Sequence, residues 1–164
     1  MNVTATWFGA DQNQEIRFRR SSEAGSSALM SSDEWRLGKL LAEEWVSSAN
    51  RLSDFDRLVD DWDGLGATAP DQDVVRSAKI FLSLKRTQDP ESPPSRVLAG
   101  PDGSIVLEWQ SGSIIFEVEI DAPGHANYML EVPGKSPRFW TERFEITSRD
   151  ATWENSRQPS PAAG

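Results

Sequence analysis

Cysteine is absent from the 164 residues, which removes disulfides, thiolate zinc sites, iron–sulfur clusters and cysteine nucleophiles. A single histidine, His125, leaves no multi-histidine metal centre. Basic residues are also scarce. Seventeen Lys and Arg stand against 26 Asp and Glu, a net charge of −9, so bulk attraction to a phosphate backbone is unavailable and a basic partner is the easier electrostatic match. No window approaches the roughly 18 apolar residues of a membrane span, and Met1 to Ala10 lack the basic start and apolar run of a signal peptide. The chain reads as cytoplasmic. There is no Gly-x-Ser-x-Gly elbow, no Gly-Lys-Ser or Gly-Lys-Thr phosphate loop, and no third glycine after Gly64-Leu65-Gly66. These gaps point away from an enzyme and toward a protein that works without a cofactor.

The negative charge is concentrated. Residues 31–64 carry −5 and residues 96–147 carry −4, whereas 1–30, 65–95 and 148–164 are each neutral. Acidity therefore belongs to folded blocks and not to tails. Ser21 to Ser27 and Gln158 to Gly164 hold too little apolar area to offset chain entropy. The division expected is a poorly ordered arm over 1–30, one domain over 31–147, and a flexible tail over 148–164. Within the arm, Trp7-Phe8 and Arg17-Phe18-Arg19-Arg20 flank a strand-like piece.

Ser31-Ser32-Asp33-Glu34 offers hydroxyl caps followed by first-turn carboxylates, so a helix begins there. Leu41, Trp45, Ala49, Leu52, Phe55, Val59 and Trp62 then recur at helical spacing, as one rod or as two helices with a bend near Ser53. Asp63-Gly64-Leu65-Gly66 ends the pattern. A second helix comes after Pro70, with Asp71 and Asp73 at its start, Val74, Val75, Ala78, Phe81 and Leu82 on one face, and Lys85-Arg86 at its end. Pro90, Pro93 and Pro94 prohibit continuation.

Beyond them the period changes to two. Ile105, Leu107 and Trp109 share a face, as do Ile114, Phe116, Val118 and Ile120 across a Ser111-Gly112 turn; Tyr128, Leu130 and Val132 come next. Arg96 to Ala99 reads as a short first strand, and Phe139 to Ile146 as a closing strand or a helix. The fold class is α+β: an antiparallel meander of four or five strands covered on one face by two or three helices.

Parity sends Glu108, Glu117, Glu119 and Glu131 to the other face, with Arg96 or Arg143 available to interleave. That surface suits an ordinary solvated face, a docking site for a basic partner, or a divalent-metal or acid–base site. Asp54, Asp56, Asp60, Asp61 and Asp63 form a second acidic cluster. It lacks an EF-hand's ligand spacing, so its carboxylates fit a solvated helix face or caps on local amides better than a metal. Of seven tryptophans, Trp45, Trp62, Trp109 and Trp140 fall on apolar stripes and read as core. Trp7, Trp35 and Trp153 lie at its edges, where tryptophan favours interfaces. His125, after Pro123-Gly124, reads as a surface turn residue.

Two motifs carry a resemblance. Trp62-Asp63-Gly64-Leu65-Gly66-Ala67-Thr68-Ala69-Pro70, a short helix, and Gly100-Pro101-Asp102-Gly103-Ser104-Ile105-Val106-Leu107-Glu108-Trp109 together resemble a pattern recurring in small, uncharacterised bacterial proteins. The resemblance spans roughly residues 50–132, implies a bacterial origin, and brings no activity with it. The functional expectation is a non-catalytic, acidic interaction module that occludes a surface of a larger protein with a basic face. It would act as an inhibitor, an antitoxin-like neutraliser or an accessory subunit. Glu108, Glu117, Glu119 and Glu131, or the carboxylates of the 54–63 helix, would steer, with Trp35 and Trp7 as apolar anchors. The alternatives are a small divalent-metal hydrolase using Asp60, Asp61 and Asp63, and an oligomerisation module built on the 32–62 helix.

Overall fold

A computed structural model describes residues 3–6, 16–20 and 32–146 of the chain. Near the start, β1 (Val3–Thr6) and β2 (Ile16–Arg20) pair antiparallel as a two-stranded sheet of their own. The rest of the expected arm, including Trp7, and all of the expected tail, including Trp153, lie outside the described residues.

Helix α1 (Ser32–Phe55) starts at the expected cap. Only its second half packs: Trp45, Ser48, Leu52 and Phe55 are buried, while residues 32–40 are exposed throughout. The apolar stripe predicts helix through Trp62, and the structure stops it at Phe55. Arg57 N–H and Leu58 N–H bond three residues back, to Asp54 and Phe55 carbonyls, tightening the last turn. The course of the chain after this turn is decided by aspartates, which satisfy backbone amides in a loop better than in a helix. Asp63 Oδ1 accepts from Leu65 N–H at 2.8 Å and Ala67 N–H at 3.1 Å; Asp61 Oδ1 accepts from Gly66 N–H at 2.8 Å; Asp60 Oδ1 accepts from Ala69 N–H at 3.0 Å. Val59 is consequently 71% exposed, and Trp62, which the stripe predicts as a core plug, is half-buried with its indole N–H on the Thr68 carbonyl. Ala49, also on the predicted stripe, is exposed, and Ser48 takes the buried position.

The loop delivers the chain to α2 (Gln72–Gln88), capped by Asp71, whose side chain accepts from Asp73 N–H. All five predicted apolar residues of α2 are buried. Lys79 reaches Asp56 at 2.7 Å, tying α2 to the turn after α1. The two motifs behind the resemblance meet: Thr68 N–H bonds the Pro101 carbonyl at 2.8 Å, Thr68 bridges Asp102, and a side chain on Gly103 would come within 3.3 Å of the Ala69 carbonyl. Two more tryptophans anchor the proline-rich connection. Trp45 donates to the Pro90 carbonyl at 2.8 Å and Trp109 to the Ser92 carbonyl at 2.9 Å.

The sheet is a meander, β3 (Arg96–Ala99), β4 (Ile105–Ser111), β5 (Ile114–Ala122), β6 (His125–Glu131) and β7 (Arg138–Arg143), every pair antiparallel. The expected α+β architecture is thus present, with two helices and a five-stranded antiparallel sheet among the described residues. Val97, Ile105, Leu107, Trp109, Val118, Ile120, Ala126, Tyr128 and Leu130 form the helix-facing core. The β5–β6 turn is held from both sides: Gly124 N–H donates to buried Ser77 Oγ on α2 at 2.9 Å, and its carbonyl accepts from Phe144 N–H.

Gly124 has φ +69°, and a Cβ there would lie 2.8 Å from the Phe144 carbonyl oxygen; Gly112 has φ +60° with nothing within 4 Å. We expect Gly112→Ala to cost about 1 kcal/mol from backbone conformation alone, and Gly124→Ala about 2–3 kcal/mol from conformation plus collision. Urea unfolding of the two variants checks this, and equal losses would show that Phe144 moves aside.

Candidate functional site

Side chains alternate along a strand, so the burial pattern defines the face turned away from α1 and α2. It carries Arg96 and Leu98 on β3, Val106, Glu108 and Gln110 on β4, and Ile115, Glu117 and Glu119 on β5. On β6 and β7 it carries His125, Asn127, Met129 and Glu131, then Phe139, Thr141 and Arg143. The strand registers arrange these in rows. One row reads Arg96, Glu108, Glu117, Met129, Phe139; the next reads Leu98, Val106, Glu119, Asn127, Thr141. Among described elements the helices contact β3, β4 and β5 from the opposite side.

Three of the four predicted carboxylates come together. Glu108 and Glu117 are direct cross-strand partners, and Glu119 lies next on the same face of β5. Glu131 does not join them: it is exposed at the end of β6, opposite Ile115, at the rim of the face. Glu108 is nearly covered, with 12% of its side chain exposed, and its cation is Arg96 at 3.5 Å. Glu117 is half-buried and has no ion pair with any described residue. Burial first, and then the negative charges of Glu108 and Glu119, hold its carboxyl above the ordinary glutamate range. Half-buried Leu98, Val106, Ile115 and Met129 frame these acids, and Phe139 is 73% exposed at the β7 edge.

Next to the carboxylates lies a polar network that strand alternation alone does not reveal. His125 Nδ1 is 2.5 Å from Asp121 Oδ1; Asn127 Nδ2 donates to Asp121 Oδ2 at 3.0 Å and to Glu119 Oε2 at 3.4 Å; Thr141 Oγ1 donates to Asn127 Oδ1 at 2.9 Å. Burial draws Asp121 upward, but the hydrogen bonds from His125 and Asn127 outweigh it and leave its carboxyl below the usual range. His125 is therefore an organised part of this face, with Arg143 opposite it on β7, and not a bare turn residue. The register shift between Glu119 and Ala122 brings Asp121 beside it, and only the i, i+4 spacing hints at this.

Trp35 belongs elsewhere. It sits in the exposed first turns of α1, 61% exposed, on a helix that packs against the other face of the sheet. Leu37 and Leu40 are exposed on the same stretch. In the aspartate cluster, Asp60, Asp61 and Asp63 are occupied with loop amides, and the bonds from Leu65 and Ala67 lower the Asp63 carboxyl. No group of three or more His, Asp or Glu among the described residues is placed to hold a metal ion, and no helix among them is long and apolar enough to cross a membrane. No family model, curated protein or solved structure matches the chain.

The site generates two expectations. Glu117→Gln stabilises the fold at pH 7 by about 0.5 kcal/mol, the size of one relieved cross-strand repulsion. Because the folded-state carboxyl titrates above its unfolded value, native Glu117 costs stability only once pH rises past that range; the gain of the variant therefore vanishes on acidification below the ordinary glutamate range. Chemical unfolding of both proteins at pH 3.5 and pH 7 reads this, and an equal gain at both would remove charge as the cause. Millimolar calcium or magnesium, in turn, leaves the melting temperature unchanged; a rise would mean that the aspartates leave their amides for a metal.

Proposed function

We propose that the open face of the sheet docks a larger, bacterial protein through a basic patch, and that the chain acts non-catalytically, as an inhibitor, antitoxin-like neutraliser or accessory subunit that occludes that surface. The supporting observation is Glu117: half-buried, pressed between Glu108 and Glu119, raised in pKa, and without a cation among described residues. A carboxylate in that position is costly in the free protein and is relieved by an incoming guanidinium or ammonium group.

The surroundings support a protein partner over a small cation. Leu98, Val106, Ile115, Met129 and Phe139 supply apolar area around the charge, the arrangement of an interface centre with polar groups beside it. The face spans five strands, about 19 Å across at strand spacing, enough for a helix or loop to lie on it. Glu131 at the rim adds steering charge that acts mainly on the association rate.

Charge reversal tests the reading. In affinity capture from bacterial lysate at low salt, wild-type protein as bait retains a partner that the Glu117→Lys, Glu119→Lys double variant loses, and retention falls as salt is raised. An identical set of captured proteins with both baits, across salt, would sink the sheet-face reading.

A further inference from the structure

We infer that the outer edge of β3, with the groove beside it on α1, takes an extended peptide segment of another protein as an added strand, with an acidic side chain of that segment paired to Arg51. The site uses main-chain groups and α1 and none of the carboxylates of the acidic face, so it does not depend on the docking reading of that face.

The main chain supplies the first half of the site. β3 is an edge strand, paired among described residues with β4 alone. Gly100 N–H bonds the Ser104 carbonyl across the hairpin, so by alternation Arg96 and Leu98 turn their amide and carbonyl groups toward β4. Val97 and Ala99 turn theirs outward, each with one donor and one acceptor and no described strand against them. Such an edge is a template for strand addition unless proline, a bulge or a covering element blocks it. Pro93 and Pro94 stand ahead of the strand and not within it.

The groove supplies the second half. It holds about 440 Å³ between Glu44, Ser47, Ser48 and Arg51 on α1 and the 93–97 chain, with buried Ser48 and Val97 at its floor. A strand added beside Val97 therefore sets alternate side chains into it. α1 runs in the same direction as β3: Trp45 bonds the Pro90 carbonyl ahead of the strand, and Thr68, in the loop after α1, bonds the Pro101 carbonyl beyond it. Glu44 thus stands near the start of the groove and Arg51 farther along, two helical turns or about 10 Å away.

Charge selects the occupant. Neither Arg51 nor Glu44 forms an ion pair with a described residue. The Arg51 guanidinium carbon lies 5.3 Å from the Phe55 ring centre, which holds the group at the groove. A planar guanidinium with open donors matches a carboxylate. Glu44 repels a second acid, so the groove takes a segment with one acid placed at Arg51 and rejects a run of acids. A basic segment meets Arg51 and is disfavoured, so the groove and the acidic face select opposite charges.

Selection of a displayed library of random eight-residue peptides on the full chain tests this. The selected peptides share an acid at one position and bind, as labelled and end-blocked peptides, in fluorescence anisotropy. Arg51→Glu weakens them about ten-fold, and lysine in place of the shared acid restores affinity for that variant. Ala99→Pro removes one outward N–H and leaves the bonds to β4 in place, since proline is tolerated on an edge strand where its nitrogen faces outward. Binding to it is lost with circular dichroism unchanged. If that variant fails to fold, Arg51→Glu, at an exposed position, decides alone. Peptides held equally by wild type and Ala99→Pro would overturn strand addition, and equal binding to Arg51→Glu would overturn the pairing with a carboxylate. Failure to enrich any peptide over a blank surface overturns the whole inference. Basic peptides that Glu117→Lys releases would belong to the acidic face, which overturns the edge site while supporting the docking reading. A wild-type dimer that Ala99→Pro makes monomeric would place a second copy on the edge, and that overturns the assignment to another protein.

Discussion

A five-stranded antiparallel sheet has two faces, and two helices can cover only one of them. Everything distinctive about this molecule stems from that constraint. The covered face takes the large apolar residues: Leu107, Val118 and Ile120 are fully buried beneath α2 and α1, and Tyr128 stacks on Trp140 at a centroid distance of 5.1 Å. The other face must be tolerated by water or by a partner. Simple solvation would favour charges spread apart with both signs mixed, since like charges directly opposed destabilise a sheet. Instead Glu108 stands opposite Glu117, with Glu119 next on the same face of β5, Arg96 at one end of the row and Met129 and Phe139 at the other. The face is poorly arranged for water alone, which is the physical reason to give it a binding role.

The scaffold behind it is held by contacts far apart in sequence. Thr68 and Pro101 join the loop after α1 to the turn before β4, and Ser77 fixes the β5–β6 turn through Gly124. Trp45 and Trp109 hold the connection from α2 to β3 at Pro90 and Ser92. Asp102 closes the same turn locally, its carboxylate accepting from both the hydroxyl and the N–H of Ser104, which lowers its pKa. The aspartates around Gly64 therefore serve the fold: each carboxylate that looked like a metal ligand replaces a missing backbone partner in an irregular loop. The loop nevertheless exposes Leu65 almost completely, at 89%, and nothing in its packing explains that residue.

Strands were legible because period two is unambiguous once Ile105, Leu107 and Trp109 set the phase. The end of α1 was not, because Val59 and Trp62 keep helical spacing after the backbone has left the helix; spacing registers side chains but not the competition of Asp60, Asp61 and Asp63 for amides. Register was the other gap. A turn centred on Ser111-Gly112 would set Glu108 against Ile115, whereas the pairing of Ser111 with Ile114 puts the turn at Gly112-Ser113 and Glu108 against Glu117. One residue of shift thus decides whether two carboxylates collide. The His125 network depends on a further irregularity between Glu119 and Ala122, which alternation cannot foresee.

That collision also bears on how the face would discriminate. A carboxylate already destabilised before binding gains more from an incoming cation than a well-solvated one does, because relief of the repulsion from Glu108 and Glu119 adds to the new attraction. The gain is confined to the centre of the face. Glu131, exposed and apart, gains little and contributes field, not contact. On the docking reading proposed above, a partner would be selected by whether it can place a cation between β4 and β5 while its apolar atoms meet Met129 and Phe139, a geometric demand that total charge does not meet. The net charge of −9 would bring basic proteins near; the Glu108–Glu117 pair would decide which of them stays.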